Sequence, residues 1–274
     1  MLVFSSTTLS HDLGFVDRNT EDLDINVGNT DFAIRQSPGI LRSNAGTGTT
    51  GAMVWKVTPL VAKWLADKDS LLWRLQVLHD QAIVVELGCG VSGLLGLALA
   101  PLVSKYLLTD QSYVMKLLKE NIAANRPQTS LRKSRTMSES VSSRGLAPQV
   151  LAFDWETDSA SNIQNAIGKD DPITILIACD CVYNDYLIKP LVNTFVEVCA
   201  MTSTEQNPTL VLVAQQLRSD EIFAAWVMEM IKSFLVWRMP DRYLSEELKD
   251  GSGFVIHVAL LKPVEAESKF EGSR

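Results

Sequence analysis

Apolar and polar positions along this chain recur on two different periods. From Val57 onward the apolar residues Val57, Leu60, Val61, Trp64 and Leu65 return every three or four positions, which predicts a helix. Pro59 suits the first turn of that helix better than its interior. A short β-branched run, AIVVEL (82–87), then predicts a buried strand, followed by a helix over 92–101. The alternation continues with a strand at 105–110 and an amphipathic helix over 112–126, its apolar face formed by Val114, Leu117, Leu118 and Ile122. Strands at 149–154, 173–180 and 209–215 alternate with helices at 159–167, 186–200 and 219–233. The end differs: FLVWRM and GFVIHVALL read as two strands joined by a polar loop with no helix between them.

Strands of nearly continuous apolar character, each followed by a helix, predict an α/β fold with a mostly parallel sheet covered on both faces. The terminal strand pair predicts a hairpin, so one of its members runs antiparallel. A five-strand parallel sheet closed in this way departs from the six-parallel-strand plan of dehydrogenases. Residues 1–50 are polar and read as an irregular or short-stranded arm, 51–265 as the α/β domain and 266–274 as a tail. Within the domain, 126–148 carries Arg126, Arg132, Lys133, Arg135 and Arg144 against Glu139 alone. It is rich in serine and cannot pack a core, so it is expected to be a flexible insertion.

Composition narrows the class. The chain has 274 residues, 46% of them hydrophobic, enough for a sizeable core. No apolar run approaches the roughly 20 residues that span a bilayer, and the first residues do not form a secretory signal. Cys89, Cys179, Cys181 and Cys199 sit in apolar segments and His11, His79 and His257 are dispersed, so a reduced, cytoplasmic protein without a metal site is expected. The net charge is −7, and the body without its basic insertion is more acidic still. That balance argues against a nucleic-acid surface and suits a basic partner, although acidity for solubility alone is the simpler alternative.

The chemistry concentrates in VVELGCGVSGLLGLALAP, Val84 to Pro101. Gly88-x-Gly90-x-x-Gly93 follows a predicted strand and opens a helix, where free backbone N–H groups can approach a ligand. Asp110 ends the next strand, 20 residues beyond Gly90, where a carboxylate can accept both ribose hydroxyls of an adenosine-type ligand. Glu86 stands where NAD sites keep a small or apolar residue. An acid there can meet a cation or an amino group, and S-adenosylmethionine carries both a sulfonium and an α-ammonium. An NAD enzyme is opposed by Glu86 and by the hairpin; an ordinary glycine-rich connection is the structural alternative.

ELGCG followed by TD resembles the cofactor motifs of class I methyltransferases. The resemblance narrows at ACDCVYNDYLIKPLVNTF, which is similar to the Asp-x-x-Tyr signature and following Pro-Leu pair of the family 16 seven-β-strand protein lysine methyltransferases. TGAMVW resembles that family's Gly-x-x-x-Trp segment, here Gly51 to Trp55. FDW resembles its Asp-Trp pair, here Asp154 and Trp155, and FAIRQ (32–36) its Ile-x-Gln segment. The likeness spans about residues 30–262. The long arm and basic insertion look most like the fungal enzymes that methylate a lysine of a large-subunit ribosomal protein.

That resemblance implies a class I Rossmann-like fold with a central seven-stranded sheet, S-adenosyl-L-methionine as cofactor and a basic, ribosomal protein as substrate. It implies that Gly88, Cys89 and Gly90 approach the cofactor, that Glu86 faces it, and that Asp110 with Gln111 meets its ribose. Trp155 would pack beside the adenine with Asp154 supporting its loop, Ala178 would lie near the adenine or on the wall of the fourth strand, and Trp55 would close the methionine side. Asp180 and Tyr183 would hold the incoming amine, with Asp180 attracting the ammonium; a helix cap and a packed aromatic are their structural alternatives. Trp64, Trp73, Trp226 and Trp237 are assigned to packing. A small-molecule methyltransferase and a non-catalytic binding protein are the competing functions, and a monomer without membrane or nucleic-acid partners is expected.

Overall fold

The computed structural model describes residues 14–42, 50–126, 147–204 and 206–263. The predicted insertion falls almost wholly outside the described residues, as does the tail. The arm begins as a hairpin of β1 (Asp22–Val27) and β2 (Thr30–Arg35), in register Ile25 to Phe32. Its alternating sequence buries Ile25, Val27, Phe32 and Ile34 on one face and leaves the other in water. Between residues 22 and 35 the described part of the arm is short-stranded.

Seven further strands form one sheet in the order β5-β4-β3-β6-β7-β9-β8. The parallel members are β3 (Ile83–Leu87), β4 (Lys105–Asp110), β5 (Gln149–Ala152), β6 (Ile175–Cys179) and β7 (Leu210–Gln216). The last strand, β9 (Phe254–Leu261), inserts between β7 and β8 (Phe234–Arg238) and runs antiparallel to both. The terminal hairpin thus closes the sheet as expected. Every residue of β3 and β6 is buried, as the central strands of a doubly covered sheet must be.

After α1 (Pro38–Arg42), the face formed by Val84, Leu108, Ile175 and Ile177 carries α2 (Val57–Ala66), α3 (Leu71–Arg74), α4 (Leu94–Leu99) and α5 (Met115–Ala124). The opposite face, through Val85, Leu107, Leu176 and Val213, carries α6 (Ser161–Ile167), α7 (Asp185–Thr202) and α8 (Asp220–Ser233). Trp64, Trp73 and Trp226 are buried in these layers. Trp237 is not: on the edge strand β8 its side of the sheet is uncovered, and it stays half exposed.

The arm is sewn to this body by amides. Asn121 accepts from Arg35 N and donates to Arg35 O, and Asn125 does the same for Ala33. Four residues apart, in the last turn of α5 and at its C-cap, the two side chains act as a third strand along the free edge of β2. Gln36 holds the other end, donating to the carbonyls of Asp17 and Thr20 and accepting from Val54 N.

Candidate active site

A cleft of about 260 Å³ opens at the C-terminal ends of β3, β4 and β6, and the segment from Thr50 to Trp55 forms its lid-side wall. Gly88 and Gly90 make the turn after β3 with φ of 69° and 64°, which glycine alone adopts without strain. Space forbids a side chain as well. A Cβ on Gly88 would stand 2.6 Å from Cys181 Sγ and 3.1 Å from the Trp155 ring, and one on Gly90 would be 3.2 Å from Gly51 O. The bare turn lets the walls of the cleft approach one another.

Asp110 ties this turn to the next strand. Its carboxylate accepts from Gly90 N and from Gln111 N, both at 2.7 Å, while Cys89 N reaches Thr109 O. Burial pushes the Asp110 carboxyl up to about 6, against the two backbone donors that pull it down. Glu86 is more deeply set: 1% exposed, it accepts from Tyr106 OH at 2.8 Å, and burial raises its carboxyl to about 8. Burial disfavours the ionised form of this carboxyl, and a cationic ligand group in the adjoining cleft would favour it. Trp155 leans over Gly88 from the loop after β5. Asp154 braces that loop, accepting from Gln111 Nε2 at 3.0 Å and from Glu156 N.

Beyond β6 the chain turns sharply, with Asp180 at φ 59°. Asp180 borders the cleft, but its carboxylate is turned away onto β7. It accepts from Arg218 Nη1 at 2.8 Å, from Arg218 Nη2 at 2.6 Å and from Gln216 N at 3.2 Å, and the side chain has no exposed surface. Its charge is thus paired with Arg218 in this structure, whereas the sequence expectation had it face an incoming ammonium. Nor does it cap the following helix: Asn184 does, accepting from Tyr186 N. Tyr183 faces the cleft with its hydroxyl accepting from Thr50 Oγ1 at 3.0 Å, and burial raises its phenol. Trp55 meets the Phe15 ring at 4.5 Å and the Arg218 guanidinium at 4.8 Å.

Ten of the eleven candidate residues therefore border one cleft: Trp55, Glu86, Gly88, Cys89, Gly90, Asp110, Gln111, Trp155, Asp180 and Tyr183. Ala178 does not. Strand alternation sends Cys179 to the cleft side, while Ala178 packs fully buried among the residues under α6 to α8. Arg218, Thr50, Tyr113 and Asn121 were missed. Arg218 lies just past the C-terminal end of β7, the position where parallel sheets place functional groups, and that was its only signal. A larger cavity of about 840 Å³ lies elsewhere, between the β1–β2 turn, α2, α4 and Tyr243. None of the candidate residues lines it, so size does not mark the chemistry here.

The strand order, the antiparallel β9 and a glycine turn tied to a strand-end aspartate define a class I S-adenosylmethionine-dependent methyltransferase. A lysine methyltransferase family model matches residues 35–233, well over half of the chain, and the chain belongs to that family. Ribosomal lysine N-methyltransferase 5 of Lachancea thermotolerans is 28% identical, with 82% of this chain and 84% of that protein aligned. The Kluyveromyces lactis protein of the same name is 27% identical, over 93% and 92%. Among solved structures, SMU.776 complexed with SAH matches with a TM-score of 0.50 at 10% identity, covering 88% of this chain and 56% of that one, a likeness of fold alone.

The residues present fit the cofactor. Gly88 and Gly90 present bare backbone to the cleft, Asp110 has acceptor capacity left for ribose hydroxyls, and Glu86 borders the same cleft as a carboxyl that a cationic group would favour. When bound, S-adenosylmethionine supplies a methyl group activated on a sulfonium.

Proposed function

We propose that this enzyme methylates the ε-amine of a lysine in a ribosomal protein. The observation that carries the reading is the pairing, in one cleft, of an adenosine-type wall (Gly88, Gly90, Asp110, Trp155) with an aromatic wall of Trp55 and Tyr183. Supporting it are the relatives named for ribosomal lysine methylation and the acidic charge of −7, which suits a basic substrate. A cytoplasmic monomer agrees with that substrate; no helix among the described residues is long and apolar enough to cross a membrane.

Free lysine titrates near ~10.4, so roughly one in 2,500 is neutral at pH 7. A cleft that excludes water favours the neutral form. Trp55 and Tyr183 then orient the nitrogen in line with the methyl carbon. The lysine gives up one proton to solvent as it enters the cleft, the neutral nitrogen would take the methyl group that the cofactor supplies, and the methylated lysine leaves as its ammonium.

The test incubates the native chain and Asp110→Ala with tritiated cofactor and ribosomal extract. One labelled protein band that Asp110→Ala abolishes supports the reading. Label appearing only in small molecules would replace it with small-molecule methylation, and cofactor binding without any label would point to a non-catalytic role.

A further inference from the structure

Asp180 and Arg218 form the most tightly held charged pair beside the cleft, and neither partner is free to touch a substrate amine. The Asp180 side chain is wholly buried, while Arg218 spends Nη1 and Nη2 on it and gives Nη2 also to Gln216 Oε1 at 3.1 Å. What it does touch is Trp55, whose ring lies 4.8 Å from Arg218 Cζ.

The other side of this contact is built with equal care. Phe15 forms a β-bridge with Trp55 and packs on its ring at 4.5 Å. Gly14, at φ 83°, lies so near the pair that a Cβ there would stand 2.0 Å from Gln216 Oε1 and 2.6 Å from Arg218 Nη2. Residues from the N-terminal strap, from the ends of β6 and β7 and from the segment before α2 therefore converge on one indole ring.

We propose that Arg218 is a positioning residue for methyl transfer: Asp180 locks its fork, and the fork locks Trp55 against the cleft. The proposal rests on the methyltransferase reading above and reassigns Asp180 from the amine to the wall. The arrangement has a chemical rationale. A free carboxylate beside the amine would stabilise the ammonium, which cannot attack; a carboxylate spent on arginine does not. The amine is left with aromatic surface and two hydroxyls, Tyr183 and Thr50.

The test is a double-mutant cycle of Arg218→Lys and Trp55→Phe in the full chain, read in cofactor Kd by calorimetry and in kcat, with Tm monitoring the fold. Arg218→Lys keeps a cation opposite Asp180 but loses the planar fork. We expect each single variant to raise Kd about fivefold and lower kcat about tenfold, and the double variant to lose no more than the worse single. Losses that multiply would overturn the proposal, as would native behaviour of Arg218→Lys. Should Arg218→Lys fold poorly, Asp180→Asn with Arg218→Gln supplies a neutral, hydrogen-bonded replacement for the same cycle. In that replacement the pH dependence of kcat should keep its native shape at reduced height. A lost limb of the profile would return Asp180 to the amine and overturn the reassignment. If the native chain labels no protein, the lysine reading fails, while the Kd cycle still decides the coupling between Arg218 and Trp55.

Discussion

The two walls of the cleft are made of different material. The glycine wall is mostly backbone: left-handed turns, N–H groups and the carboxyls of Glu86 and Asp110, joined by contacts between neighbouring strands. The aromatic wall is side chain on side chain, drawing Phe15, Trp55, Asp180, Tyr183 and Arg218 from four distant parts of the sequence. Backbone geometry tolerates almost no substitution but is specified locally. The aromatic wall is assembled only when the whole sheet closes, so its failures should appear first as lost stability and only then as lost binding.

The sharpest separation comes from Arg218→Ala. It strands a carboxylate with no exposed surface, and unpairing a buried charge costs about 3–5 kcal/mol. Thermal unfolding should shift down by about 10 °C. A change under 3 °C would mean that the Asp180 carboxylate finds other partners without penalty, and the contrast between the walls would weaken. Gly88→Val probes the other wall. The new Cβ meets Cys181 Sγ at 2.6 Å and the Trp155 ring at 3.1 Å, at a φ of 69° that valine avoids. Calorimetry should find cofactor affinity lowered about a hundredfold, roughly 2.7 kcal/mol. Affinity within fivefold of native would remove the turn from the binding site.

That division also explains what the sequence disclosed. The sheet was legible because buried parallel strands such as IVVEL and ILIAC leave uninterrupted apolar runs, and the final hairpin because no helix separates its strands. The glycine wall was legible because its parts are close in sequence and fixed in spacing, Gly90 to Asp110 above all. Arg218 was not, since a partner 38 positions from Asp180 on another strand end leaves no periodic trace. Asp180 itself was placed at the site correctly but its orientation misread: a residue type says that a charge is present, not which neighbour consumes it. Ala178 lies on the expected strand but on its far face, and one position along a strand is the whole thickness of the sheet.

Asn121 and Asn125 offer a finer comparison, because one pair of like residues serves the two purposes separately. Both satisfy the edge of β2, but Asn121 alone also donates to Val91 O, at 2.7 Å, directly after the glycine turn. Alanine at either position should lower thermal stability by a similar amount, about 1–2 kcal/mol for the polar groups left without partners. Only Asn121→Ala should weaken cofactor binding, by about fivefold, or roughly 1 kcal/mol. Equal effects on binding would show that the arm, rather than the bond to Val91, supports the turn.

The smallest effect is a pH dependence confined to the glycine wall. Glu86 is raised to about 8 and Asp110 to about 6, both chiefly by burial. Carboxyls raised on folding favour the folded state while protonated, so their contribution is complete below about pH 4 and fades as pH rises through 6 and then 8. The protein without cofactor should therefore lose stability between pH 6 and 8. A cationic group of the cofactor held beside Glu86 would favour the ionised carboxylate and lower its proton affinity. Affinity should then tighten with rising pH, by a few-fold from 6.5 to 7.5, below the ceiling of about tenfold per unit for one released proton. Calorimetry in two buffers of different ionisation enthalpy measures that proton directly, and Glu86→Gln should abolish it. A native enzyme that releases no proton would show that Glu86 stays neutral with cofactor bound, leaving Asp110 as the charged group of that wall.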